Sequence, residues 1–173
     1  MAKFIDTCPD WLEASGVVDI YSVSGCISDY FADYIGDWKH NDFCLFDSPQ
    51  IIRDIAGEKK IDLGRATVFY YEIYEKSFDE DGVENSLTDA GIYLSANVER
   101  PAKKTLRGFD VVSFSTGSGP ECSPLSCNGL AREQKVNRHC LFDTLEDAIA
   151  QLKCGAFKNS EPGPFGIFSV YTL

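Results

Sequence analysis

The spacing of apolar and polar positions changes period several times along the chain, and each change marks an expected element. Val17 to Ser24 is β-branched and aromatic after the break at Ser15-Gly16, which predicts a strand. Before it, Cys8-Pro9-Asp10-Trp11-Leu12 reads as a lead-in with a short helical turn, Pro9 suiting a first helical position. From Asp29 to Trp38 the period becomes helical, with Ser28 as cap. At about 100° per residue, Phe31, Ile35 and Trp38 face a core, Asp29, Asp33 and Asp37 share one narrow face, and Tyr30 and Tyr34 border it with Trp38. A second helix follows Asp47-Ser48, opens with Pro49 and ends near Gly57. Ala66 to Glu75 then alternates, with Phe69, Tyr71 and Ile73 on one side and Glu72 on the other.

The second half repeats this rhythm. Phe109 to Ser115 reads as a strand, Thr144 caps a helix whose first turn holds Glu146 and Asp147, and that helix stops at Gly155. Glu161-Pro162-Gly163-Pro164 is a turn, and Ile167 to Thr172 is a closing strand with Phe168 and Val170 inward. Between the halves, Asp79-Glu80-Asp81-Gly82 marks a turn, Gly91 to Val98 a strand, and Arg100 to Arg107 a basic loop whose charges offset neighbouring acids.

The repetition extends to residue identity. Cys44-Leu45-Phe46-Asp47-Ser48 returns as Cys140-Leu141-Phe142-Asp143-Thr144, and the pairs Cys26/Cys122 and Asn41/Asn137 keep the same spacing. Asp19-Ile20-Tyr21-Ser22-Val23-Ser24 parallels Asp110-Val111-Val112-Ser113-Phe114-Ser115, and the second copy carries an insertion of about five residues around Thr116 to Pro120. Downstream, Tyr71, Ile73 and Tyr74 match Phe168, Val170 and Tyr171. A solenoid is excluded, because its repeats are roughly 20 to 50 residues long and stack in several copies. The expectation is an α+β fold: one domain over 1–173, built from two internally related β-helix-helix-β units, 18–75 and 109–172, joined by a connector, 76–108. The units share a mixed or antiparallel sheet with helices mainly on one face.

Composition narrows the function classes. At 173 residues, 44% hydrophobic and 25% charged, the chain has enough apolar content for one core and too much for disorder. No stretch resembles a signal peptide or approaches the roughly 20 apolar residues of a membrane span, so a cytoplasmic protein without membrane contact is expected. In that setting the seven cysteines read as thiols, mostly buried, with Cys44 and Cys140 both buried and unreactive. The net charge of −11 argues against nucleic acid, whose binders carry basic surfaces.

Candidate chemistry is sparse. Asp79, Asp81 and Glu84 lack the ligand ladder of a calcium loop. Thr116-Gly117-Ser118-Gly119-Pro120-Glu121-Cys122 is glycine-rich, but no Lys-Ser or Lys-Thr follows and Glu121 would repel phosphate. Cys122, Cys127, His139 and Cys140 lack the paired short knuckles of a zinc site. No metal or cofactor is expected. Two readings of function follow. The favoured one is a non-catalytic acidic protein that masks a basic protein partner, of inhibitor or immunity-protein type, through Asp29, Tyr30, Asp33, Tyr34, Asp37 and Trp38. Aspartates four apart repel along a helix, and Asp33 and Asp37 approach its negative end, so the stripe weakens its own helix. The alternative is a cysteine-dependent enzyme centred on Cys122, or on Cys127, with His139 as base and Asn128 or Asn137 orienting it.

Overall fold

The computed structural model describes residues 16–24, 45–64, 66–93, 98–116 and 119–173. Helix α1 (Pro49–Lys59) starts where Ser48, in extended backbone, accepts a hydrogen bond from the Ile51 N–H, with Pro49 in the first turn. Strand β1 (Phe69–Phe78) follows, then the short β2 (Glu84–Ser86) and β3 (Thr105–Ser113). A four-residue helix, α2 (Pro124–Cys127), leads into a 3-10 turn at Leu130–Arg132. Helix α3 (Leu145–Lys153) is capped by Thr144, which accepts from the Asp147 N–H, and β4 (Phe165–Thr172) ends the chain.

The strands form one sheet in the order β2-β1-β4-β3, and every pairing is antiparallel. Ile73 faces Phe168 across β1 and β4, and Asp110 faces Phe168 across β3 and β4. The result is a single α+β domain with three helices among the described residues.

Strand β4 is central and covered on both sides, which accounts for its nearly unbroken apolar run. On one side Phe165 and Ile167 pack with Val111, Leu125, Ala148, Leu152 and Phe157. On the other, Phe168 packs with Val23, Leu87, Ile92, Val112 and Phe114. Among the described residues, α2 and α3 supply the helical cover of the first side, and Val23, Leu87 and Ile92 on the other side come from non-helical segments. Phe78, Phe142, Phe157 and Phe165 are fully buried, each contributing about 1.5–3 kcal/mol through apolar area removed from water.

The turn at Asp79–Gly82 forms as its sequence predicts. Asp79 Oδ1 accepts from the N–H groups of Asp81 and Val83, and Gly82 has φ 77°, with any Cβ there only 2.5 Å from the Leu152 carbonyl oxygen. Gly108 is constrained in the same way: at φ 142° a Cβ would lie 2.6 Å from the Phe142 carbonyl oxygen and 2.7 Å from Leu141 Cβ. Its absence lets the second pentad lie directly on β3, where Phe109 and Phe142 exchange backbone hydrogen bonds of 2.9 and 3.0 Å.

Several expectations are corrected. Val17 to Ser24 is not a strand: the N–H groups of Val18 and Tyr21 donate to the carbonyls of Arg138 and His139, and that of Val23 to Asp110. The physical reason lies on β3, whose outer edge is already engaged by Phe142 at one end and by Glu121 and Cys122 at the other. The second unit keeps the expected order β3-α2-α3-β4, whereas the first lacks its opening strand and its first helix lies outside the described residues, so two related units are not confirmed; each pentad's hydroxyl caps a helix, and the strands that follow, β1 and β4, are neighbours. Helix α1 runs through Gly57 to Lys59, since one interior glycine costs about 1 kcal/mol without stopping a helix, and Lys60 in the left-handed region ends it. Gly91 to Tyr93 forms a turn and irregular chain rather than a strand, and residues 94–97 lie outside the described residues. The basic loop gives way to β3 at Thr105. The helix expected over Asp29–Trp38, and Cys44 with it, also lies outside the described residues.

Candidate functional site

Cys122 lies just before the single turn of α2, and Cys127 is its last residue. Cys122 is buried and Cys127 exposed, both as thiols. Cys122 Sγ lies 3.8 Å from Asn128 Oδ1, while Asn128 Nδ2 donates to Glu161 at 2.9 Å. Around Cys127 Sγ stand the hydroxyls of Ser24 at 3.8 Å and Ser126 at 3.9 Å. A side-chain hydrogen bond with Cys122 does most to pull the Cys127 pKa down to about 6, helped by the Ser123 backbone and the Ser24 and Ser126 hydroxyls against the opposing effect of desolvation.

Behind the thiols sits Asp110, fully buried in β3. Its carboxylate accepts from Ser123 Oγ at 2.6 Å and from the Val23 N–H at 3.1 Å, tying the 16–24 segment and the start of α2 to the sheet. Burial first, and then the negative charge of Asp110, push the Cys140 thiol up, which disfavours its thiolate. Tyr71 is raised for the same two reasons, and its hydroxyl donates to the Ser22 carbonyl at 3.0 Å.

His139 has other partners. Its Nδ1 is hydrogen-bonded to Asp19, and its ring stacks on Tyr21 with centroids 4.2 Å apart. The Asn137 side chain accepts from the backbone N–H groups of His139 and Leu141 and donates to the Arg107 carbonyl, so it braces the loop that presents the pentad. Among the described residues, Cys122 has the Asn128 side chain beside it, Cys127 has Ser24 and Ser126, and His139 is set against Asp19 and Tyr21.

A separate acidic surface forms at the β1–β2 hairpin. Asp79, Glu80, Asp81 and Asp89 line a concavity with Asn85, Gly163 and Pro164. Lys158 pairs with Asp81 at 2.6 Å and Lys153 with Glu84 at 3.2 Å on its margin. No group of three or more His, Cys, Asp or Glu among the described residues is arranged to hold a metal ion. No helix there is long and apolar enough to cross a membrane. The proposed partner-binding set Asp29, Tyr30, Asp33, Tyr34, Asp37 and Trp38 lies outside the described residues.

Two features escape a reading of the sequence. Asp110 has a visible signal, a lone carboxylate inside an apolar strand, but its partners Val23 and Ser123 are set by the fold. The other is a clamp on the sheet, in which Lys104 Nζ binds Glu72 at 2.6 Å and sits 3.9 Å from the Tyr171 ring centroid and 4.8 Å from that of Tyr70. Arg100 also reaches Glu72, at 2.9 Å, so the basic loop does compensate a neighbouring acid.

No known family, curated protein or solved structure matches this chain.

Proposed function

We propose that this chain is a non-catalytic acidic binding protein of the cytoplasm that covers a basic surface on a protein partner. The observation that carries the reading is the acid-lined concavity at the β1–β2 hairpin, on a chain whose net charge is −11. A surface of one sign accelerates encounter with a partner of the other and disfavours nucleic acid, which is itself an anion. In this reading Asp29, Asp33 and Asp37 supply further negative charge for the partner, and Tyr30, Tyr34 and Trp38 the aromatic anchors that concentrate binding energy. The same reading treats the two pentad-helix-strand segments as related units of one duplicated ancestor.

The test is capture from lysate at low and high salt, followed by mass spectrometry of what elutes. Basic proteins retained at low salt and released at high salt support the reading, and retention of acidic or nucleic-acid ligands contradicts it.

A second reading, a cysteine-dependent enzyme, is favoured by the lowered Cys127 thiol. In it Cys127 rather than Cys122 is the nucleophile, and its activity would be abolished by alkylation of that one residue.

A further inference from the structure

The side chains around Lys104 suit an alkylammonium ion. Tyr70 of β1 and Tyr171 of β4 are cross-strand partners, so they share a face of the sheet, with ring centroids 6.0 Å apart. Glu72, two residues along β1, shares that face, and all three side chains are half-buried, open to an approach from solvent. The segment before β3 lays Lys104 across them. Its Nζ lies 2.6 Å from Glu72 Oε1, 3.9 Å from the Tyr171 centroid and 4.8 Å from that of Tyr70, and only 14% of the side chain is exposed.

Among the described residues, the one hydrogen-bond acceptor of this ammonium is Glu72, and the two ring faces supply the rest of its attraction. A ring face attracts the charge without needing an N–H, so methyl groups can replace N–H groups there, while one N–H must remain for the carboxylate. A dimethylated lysine meets both conditions. The geometry points to Tyr70, Tyr171 and Glu72 as a binding cage for a dimethyllysine side chain of a protein partner, which the chain's own Lys104 fills as an internal competitor. Arg100, on the same segment and largely exposed, also binds Glu72, at 2.9 Å, so one displacement of residues 100–104 frees the carboxylate. Leu106, exposed and paired with Tyr171 across β3 and β4, offers the incoming segment an apolar contact beside the cage. That the ammonium comes from a protein rests on the proposed function. The cage does not, and a free amino-acid derivative tests it apart from any partner, so either can fail alone.

The test is titration of the full chain with N-acetyl-Nε,Nε-dimethyllysine amide, followed by NMR of the tyrosine rings. Lys104→Ala, which empties the cage, is expected to bind the probe saturably and at least about tenfold more tightly than the unsubstituted chain, the factor that follows if Lys104 leaves the cage open about a tenth of the time. Adding Glu72→Gln should weaken that binding about tenfold or more, because a charge-assisted hydrogen bond is lost. The unmethylated N-acetyllysine amide should bind less tightly than the dimethyl form. No saturable binding to Lys104→Ala, equal binding by the unsubstituted chain, indifference to Glu72→Gln or a preference for the unmethylated form would each overturn the proposal. A second measurement needs no variant. In reductive methylation with formaldehyde and cyanoborohydride, Lys104 should react more slowly than the exposed Lys153 and Lys158. Excess dimethyllysine probe, a tertiary amine that does not consume the reagent, should speed the reaction at Lys104 and leave the other two unchanged. A Lys104 rate indifferent to the probe would overturn the proposal whether or not the substituted chains fold.

Discussion

Leu45 and Phe46 of the first pentad are half-buried: Phe46 belongs to a small cluster formed by α1 and its flanks, with Ile55, Ile61, Leu63 and Ala66, and Leu45 packs at the margin of the cluster around Phe168. Leu141 and Phe142 of the second are fully buried, Phe142 paired to Phe109 of β3 and packed on Phe157. Yet both pentads start a helix in the same way, with a hydroxyl cap accepting from a backbone N–H three residues on. A five-residue motif therefore specifies the cap, while burial is decided by distant partners such as Gly108, Asn137 and β3. Cap chemistry is local, and core membership is not.

The largest effect should separate the copies. Phe142→Ala is expected to destabilise the fold by about 3–5 kcal/mol, the range for emptying a buried aromatic site. Phe46→Ala should cost about 1 kcal/mol, because its site is partly solvated already. Equal shifts in urea midpoint for the two would remove the contrast.

Thiol reactivity sharpens the contrast within the second copy. At pH 6 Cys127 should label about tenfold faster than an unperturbed cysteine, since half of it is thiolate while lower intrinsic nucleophilicity takes back part of the gain. The advantage should fade above the ordinary thiol pKa of about 8.5, where other exposed cysteines ionise too. Cys140 should stay unlabelled until the protein unfolds, and rapid native-state labelling would show that the second pentad is less closed than its packing implies.

The caps should behave alike where the cores do not. Ser48→Ala and Thr144→Ala are each expected to cost about 1 kcal/mol in chemical denaturation. A much larger loss at one of them would mean that cap and packing are coupled there.

A smaller, pH-dependent term comes from the clamp on β1 and β4, the strands that follow the two helices. Burial works to raise the Glu72 carboxyl, but hydrogen bonds from Lys104 and Tyr171 and the charges of Lys104 and Arg100 bring it below the usual range. A depressed carboxylate stabilises the fold above its unfolded pKa and loses that contribution as pH falls through its folded one. Lys104→Met should therefore lower stability at pH 7 by up to about 1 kcal/mol, and the difference should vanish in acid. A deficit unchanged by acid would assign the loss to the packing of Lys104 between the tyrosines instead.

Much of this scaffold is legible locally. The caps at Ser48 and Thr144, the Asp79–Gly82 turn, the inward Phe168 and Val170 and the acid-compensating basic loop all follow from residues close in sequence or from simple charge balance. Val17 to Ser24 has strand composition, but the outer edge of β3 is engaged by Phe142 and Cys122, more than ninety residues away. The candidate site divides in the same way. Cys122, Cys127 and His139 stand out by residue type, but which of them meet depends on α2 and on Asp19 and Tyr21. Asp110 organises the thiol pocket from within a strand, where its spacing alone marks it as anomalous without naming its partners.

The central claim, that the acidic surface serves a basic partner, is tested most directly by stopped-flow association with the partner captured at low salt. The account predicts a rate that falls steeply with ionic strength, and a slower, flatter dependence for Asp33→Asn combined with Asp37→Asn, with stability unchanged or higher by a few tenths of a kcal/mol. An association rate indifferent to salt, in both the original chain and the variant, would contradict it.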